Sequence, residues 1–108
     1  FWASWCGPCR IGLPVVVRVV DKYKDKDVVL ITVNIGEDPA TVQAFVEQMG
    51  LKAPVAMDQE RIAQARYQAD SIPRTVIVDR DGIIRKVHEG LSPTLEKELD
   101  ELLAELTD

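Results

Sequence analysis

Apolar residues recur along this chain with two periods, and the two alternate. The stretch from about Gly7 to Tyr23 predicts a first helix, with Pro14 inside it. A mid-helix proline removes one hydrogen bond and kinks the helix. Val15, Val16, Val17, Val19 and Val20 make the segment unusually β-branched, so packing rather than propensity must hold it helical. Lys22 to Asp27 reads as a charged loop. The apolar run Val28-Val29-Leu30-Ile31-Thr32-Val33 then predicts a buried parallel strand.

Asp38-Pro39 supplies an N-cap and a first-turn proline, and Val42, Phe45, Val46 and Met49 follow at helical spacing. Gly50 closes that helix. A short strand is expected near Val55-Ala56-Met57, and a helix around Glu60 to Tyr67. Thr75-Val76-Ile77-Val78 is a second buried strand, Asp79-Arg80-Asp81-Gly82 a turn, and Ile83 to Glu89 an antiparallel return strand. Ser92-Pro93 opens a last helix with Leu95, Leu99, Leu102, Leu103 and Leu106 on one face. Helices alternating with strands, followed by a hairpin and a closing helix, predict an α/β sandwich: a central mixed sheet flanked by helices.

Composition narrows the picture. A chain of 108 residues, 46% hydrophobic and 29% charged, fits one domain over 1–108 with a core of its own. The net charge is −5, with acids and bases interspersed. No basic stripe forms, so nucleic-acid binding has no electrostatic support. No apolar run reaches about 18 residues, the length a membrane-spanning helix needs.

Trp5-Cys6-Gly7-Pro8-Cys9 holds both cysteines of the chain. A pair two residues apart at the start of a helix can close into a small disulfide and reopen. The helix N-terminus offers free N–H groups and a positive dipole end, and both favour thiolate over thiol. CxxC motifs lower a cysteine pKa from about 8.5 into a range of roughly 3.5–7.5. Cys6, at the exposed helix start, is therefore the expected attacking sulfur, and Cys9, one turn further in, the resolving one. A structural zinc site is the bland alternative, but zinc usually takes four Cys or His ligands and this chain offers Cys6, Cys9 and His88. A structural disulfide is the other, but so short a loop constrains the unfolded chain little. No metal and no cofactor is expected.

The wider stretch Phe1-Trp2-Ala3-Ser4-Trp5-Cys6-Gly7-Pro8-Cys9-Arg10 resembles the thioredoxin superfamily, and most closely its TlpA/ResA-like, redoxin-domain branch. The resemblance runs through most of the chain, including a longer insertion before the Ile72-Pro73 loop. It implies a thioredoxin-like sandwich in which Phe1-Trp2 ends a strand begun upstream. The chain is accordingly expected to be a fragment or a trimmed form of a longer protein, so that any targeting segment lies ahead of Phe1. It implies that Ile72–Pro73 is a cis peptide against the cysteines and that Ile72 offers its backbone to substrate. It implies that Trp5 forms an apolar docking surface and that Gly7 and Pro8 let a partner approach closely. Trp2 and Phe1 are expected in the core and His88 on the surface. Arg74, where relatives often carry Thr, either places a cation beside the cysteines or points to solvent.

The resemblance further implies a thiol–disulfide oxidoreductase that reduces protein disulfides, as a monomer. An upstream thiol reductant would recharge it: a membrane thiol-reductase relay in an extracytoplasmic setting, or thioredoxin reductase in a cytoplasmic one. The extracytoplasmic setting is the one the resemblance favours. The CGPC sequence also occurs in reducing thioredoxins, whose potential is about −270 mV, against about −120 mV for the oxidant DsbA. One departure weighs on the cytochrome-maturation role of ResA-like reductants: these often carry Glu three residues after the second cysteine, and this chain has Gly12. The acceptor for the Cys9 proton is thus not legible. Two rivals stand beside this reading. A peroxiredoxin would need Thr at the position of Ala3, and a redoxin-type module would dock partners or metal with little turnover.

Overall fold

The computed structural model describes residues 1–108. Its elements in chain order are α1 (Gly7–Asp21), β1 (Thr32–Ile35), α2 (Pro39–Met49), β2 (Val55–Asp58), α3 (Ile62–Arg66), β3 (Arg74–Val78), β4 (Ile84–Glu89) and α4 (Leu95–Leu106). β1 pairs with β2 in parallel, and β3 pairs with β4 antiparallel. No helix is long and apolar enough to cross a membrane.

Local chemistry explains most boundaries. Cys6 caps α1 in an extended backbone conformation, with Pro8 in the first turn. Pro14 sits inside α1 and leaves the Arg10 carbonyl without its usual helical donor. Asp38 caps α2 by accepting from the Thr41 N–H, and Gly50 ends it at φ 62°, a left-handed conformation that favours glycine. The valine-rich part of α1 stays helical because Val16 and Val19 are buried against Ile77, Leu95, Leu99 and Leu103. This cluster joins α1, β3 and α4. A second cluster joins the start of α1 to α2: Trp2, Cys6, Cys9, Leu13, Val42 and Phe45.

Three expectations require correction. The strand expected over Val28–Val33 begins only at Thr32 and extends to Ile35. A strand needs a partner, and β2 meets β1 only from the Thr32–Val55 pair onward. Val28 and Leu30 still pack on the α1–α4 cluster, whereas Val29 is 79% exposed. The single mixed sheet is divided into two two-stranded pieces. They are joined at Phe1-Trp2: Phe1 exchanges both backbone hydrogen bonds with Arg74, and Trp2 bridges in parallel to Asn34. Beyond that junction the facing edges of Val29–Val33 and Arg74–Val78 border an apolar cavity of about 420 Å³. Finally, His88 is buried rather than on the surface. Its place opposite Thr75 on β4 brings its Nδ1 3.4 Å from Glu98 of α4.

Candidate active site

Cys6 and Cys9 are joined as a disulfide across the first turn of α1, with their Cα atoms 5.2 Å apart. The Cys9 N–H donates to Cys6 Sγ at 3.2 Å, so a free helix-terminal donor already points at that sulfur. In the dithiol state the same donor and the helix dipole favour negative charge on Cys6. The expected exposure of Cys6 is not found: it is 4% exposed, and Cys9 is 0% exposed. Both pack in the core cluster with Trp2, Leu13 and Phe45. What remains is a small asymmetry, in which Cys6 keeps a trace of exposure and Cys9 none.

The other sequence-chosen residues lie around this turn. Trp5, immediately before Cys6, is 68% exposed. Gly7 and Pro8 are exposed, and a Cβ at Gly7 would meet nothing within 4 Å. The Ile72–Pro73 peptide bond is cis. The Ile72 carbonyl oxygen lies 3.8 Å from Cys6 Sγ, close enough to accept from a Cys6 thiol once the disulfide opens. Ile72 packs on the cluster that holds both cysteines, and Pro73 shares the 420 Å³ cavity with Cys9. Two residues 66 positions apart in sequence thus meet at the Cys6 sulfur.

Arg74 does not point to solvent. Its side chain is 12% exposed and pairs with Glu89, its cross-strand neighbour. It lines the cavity that Cys9 and Gly12 also line. A Cβ at Gly12 would lie 3.5 Å from Leu91, an ordinary contact, so a larger residue's first carbon fits there.

Five residues around the site had no site role legible in the sequence: Ser4, Arg10, Asn34, Glu37 and Phe45. Glu37 accepts from Ser4 and Asn34, and Arg10 donates its Nε to the Ser4 carbonyl at 3.2 Å. Burial pushes the Glu37 carboxyl up, but hydrogen bonds from the Ser4 hydroxyl, the Asn34 amide and the Ser4 N–H outweigh it and leave its pKa below 4.5. Phe45 lies under the Arg10 guanidinium, 5.2 Å from its central carbon. Only the polar cluster Gly36-Glu37-Asp38 after an apolar run could have drawn attention to Glu37.

A helix-capping disulfide pair beside a cis-proline loop, on a thioredoxin-like α/β frame, defines the class of thiol–disulfide exchange domains. Comparison with known proteins carries this to a family. The Redoxin family model matches residues 1–103, and the chain belongs to that family. It is 32% identical over 107 residues to the thiol-disulfide oxidoreductase ResA of Bacillus thuringiensis, covering 99% of this chain and 61% of that protein. The chain thus spans about three-fifths of the length of such curated relatives. Among solved structures it resembles a candidate thiol:disulfide interchange protein DsbE from Chlorobium tepidum, with TM-score 0.93, 29% identity, and coverage of 100% of this chain and 77% of that one. StoA from Bacillus subtilis aligns with TM-score 0.81 and 27% identity, over 95% of this chain and 78% of its own. These relatives place the chain in the TlpA/ResA-like branch of the thioredoxin superfamily.

Proposed function

We propose that this chain is the exchange domain of a thiol–disulfide oxidoreductase that reduces disulfides in other proteins. The observation that carries the reading is the Cys6–Cys9 disulfide at the α1 N-terminus, with Cys6 4% exposed and Cys9 fully buried. In the dithiol state the Cys6 thiolate attacks one sulfur of a substrate disulfide. A mixed disulfide forms and the substrate's other sulfur leaves as thiolate. Cys9, deprotonated, attacks Cys6 Sγ and expels the second substrate sulfur. Two electrons pass to the substrate, the enzyme ends as the disulfide seen in the structure, and the substrate thiolates take up two protons.

Trp5, Gly7 and Pro8 form the docking edge in this reading, and the Ile72 backbone with Pro73 flanks the attacked sulfur. An upstream thiol donor must return two electrons to Cys6–Cys9. One related protein, from Mycobacterium tuberculosis, is a secreted disulfide oxidoreductase, 25% identical with TM-score 0.80. That likeness supports an extracytoplasmic site of action, where a membrane thiol-reductase relay would be the donor. The protein works as a monomer in this reading.

The test is turnover on an insulin-like disulfide with dithiothreitol as donor. Wild type is expected to speed reduction well above the uncatalysed rate, with Cys6→Ser inactive. Tight binding of the disulfide protein without turnover would favour a docking module instead.

A further inference from the structure

Ser4 is held at every polar atom it has. Its N–H donates to Glu37 Oε1 at 2.7 Å, and its hydroxyl donates to Glu37 Oε2 at 2.5 Å. Its carbonyl accepts from Arg10, whose guanidinium rests over Phe45. Glu37 is itself anchored, because Oε1 also accepts from Asn34 Nδ2 at 2.8 Å and Asn34 is wholly buried. Gly36, at φ 69°, turns the chain sharply out of β1 just before Glu37. A Cβ there would lie 2.6 Å from the Arg61 guanidinium, the mobile end of a long side chain, so it is the positive φ that favours glycine at this turn.

The clamped residue lies in the turn that leads into the Cys6–Cys9 pair. The Cys6 N–H donates to the Ala3 carbonyl, closing Ala3–Cys6, and Trp5 projects from its tip. The Cys6 sulfur has separate anchors in the Cys9 N–H and the cluster around Phe45. Trp5 has its backbone fixed on one side by Ser4 and on the other by Cys6.

We propose that Glu37 is a positioning residue for the exchange reaction: through Ser4 it holds the Ala3–Cys6 turn, and with it Trp5, in the orientation that meets a protein substrate. The proposal rests on the dithiol-exchange reading above. An unclamped turn would have to order on docking, and that ordering weakens binding without touching the sulfur chemistry. Glu37 therefore governs KM for protein disulfides and leaves the intrinsic reactivity of Cys6 alone. The carboxylate is ionised at neutral pH, its proton affinity held down by those same Ser4 and Asn34 donors against the pull of burial.

The experiment compares two substrates, insulin and the small aromatic disulfide dithionitrobenzoate, across the full chain and its variants. Glu37→Ala is expected to raise KM for insulin about tenfold, the size of a lost charge-assisted hydrogen bond. Its kcat on insulin and its rate on the small disulfide should stay within about twofold of wild type. Glu37→Gln keeps an oxygen for Ser4 and Asn34 and should recover most of the loss. Glu37→Leu keeps the bulk without the acceptors, and reads the same quantity should the alanine variant fold poorly. An unchanged KM, or an equal loss on both substrates, overturns the proposal. Wild type inactive on both disulfides would overturn the dithiol reading and this proposal with it. An active wild type with unaltered variants overturns the proposal alone.

Discussion

Phe45 makes α2 part of the active site without touching the reacting sulfurs' chemistry. It is 3% exposed, its ring centroid lies 4.6 Å from that of Trp2, and the Arg10 guanidinium carbon lies over the ring, 5.2 Å from its centroid. Phe45→Ala removes a buried ring from the cluster that encloses Cys6 and Cys9. Such truncations cost about 3–5 kcal/mol. That is a large share of the roughly 5–15 kcal/mol by which a domain is stable. Phe45→Leu divides the effect, because it keeps most of the apolar bulk. It forfeits the aromatic pair, about 0.5–1.5 kcal/mol, and the cation–π contact, about 0.5–1 kcal/mol. The leucine variant should therefore lose about 1–2.5 kcal/mol. Urea unfolding with the Cys6–Cys9 disulfide intact in every variant measures both losses on one scale. An alanine loss under about 1 kcal/mol would refute the packing described. A leucine loss equal to the alanine loss would refute the division into bulk and ring terms.

Further outcomes follow from the same geometry. Limiting iodoacetamide on the reduced chain should label Cys6 before Cys9, read by mass mapping, since Cys6 accepts the helix-terminal Cys9 N–H and is the less buried of the two; preferential Cys9 labelling would reverse the assignment. Asp58 accepts from the Ala63 and Gln64 N–H groups at 3.1 and 2.8 Å, so Asp58→Ala should cost about 1–2 kcal/mol by urea unfolding and loosen α3. Stability should also fall in acid. The Asp79 pKa is lowered by the Ile83 N–H first, against burial, and then by the Asp81 N–H and Arg85; Glu37 is lowered as described. A carboxyl with a depressed folded-state pKa stabilises above its unfolded value and loses that contribution as pH falls through its folded one. Unfolding free energy should thus decline below about pH 4.5, less steeply in Glu37→Gln; an unaltered acid slope in that variant would contradict the Glu37 assignment.

Features encoded within a few residues were legible in the sequence. Asp38-Pro39 and Gly50 bounded α2 to the residue, and Asp79 to Gly82 marked the β3–β4 turn. Cys6 and Cys9 stood out because their spacing is local. Features that depend on a distant partner were not legible. Val28 to Ile31 has strand composition, but strand pairing is a property of two segments. His88 looked like a surface residue because Glu98, its neighbour, lies on another element. Ser4 and Glu37 are 33 positions apart, and neither residue type is unusual where it stands. The low exposure of Cys6 likewise arises from Phe45, Val42 and Ile72, which the fold brings together from α2 and the proline loop.

The most direct test of dithiol exchange through Cys6 is trapping with Cys9→Ser. Without a resolving thiolate, the mixed disulfide between Cys6 and a substrate protein should accumulate. Reduced Cys9→Ser protein is mixed with a disulfide-containing protein, quenched in acid, and run on a non-reducing gel, with mass mapping of the linked peptides. The account predicts a higher-mass adduct through Cys6 that dissolves on adding reductant and is absent from Cys6→Ser. Adducts formed by Cys6→Ser through Cys9, with none from Cys9→Ser, would contradict it.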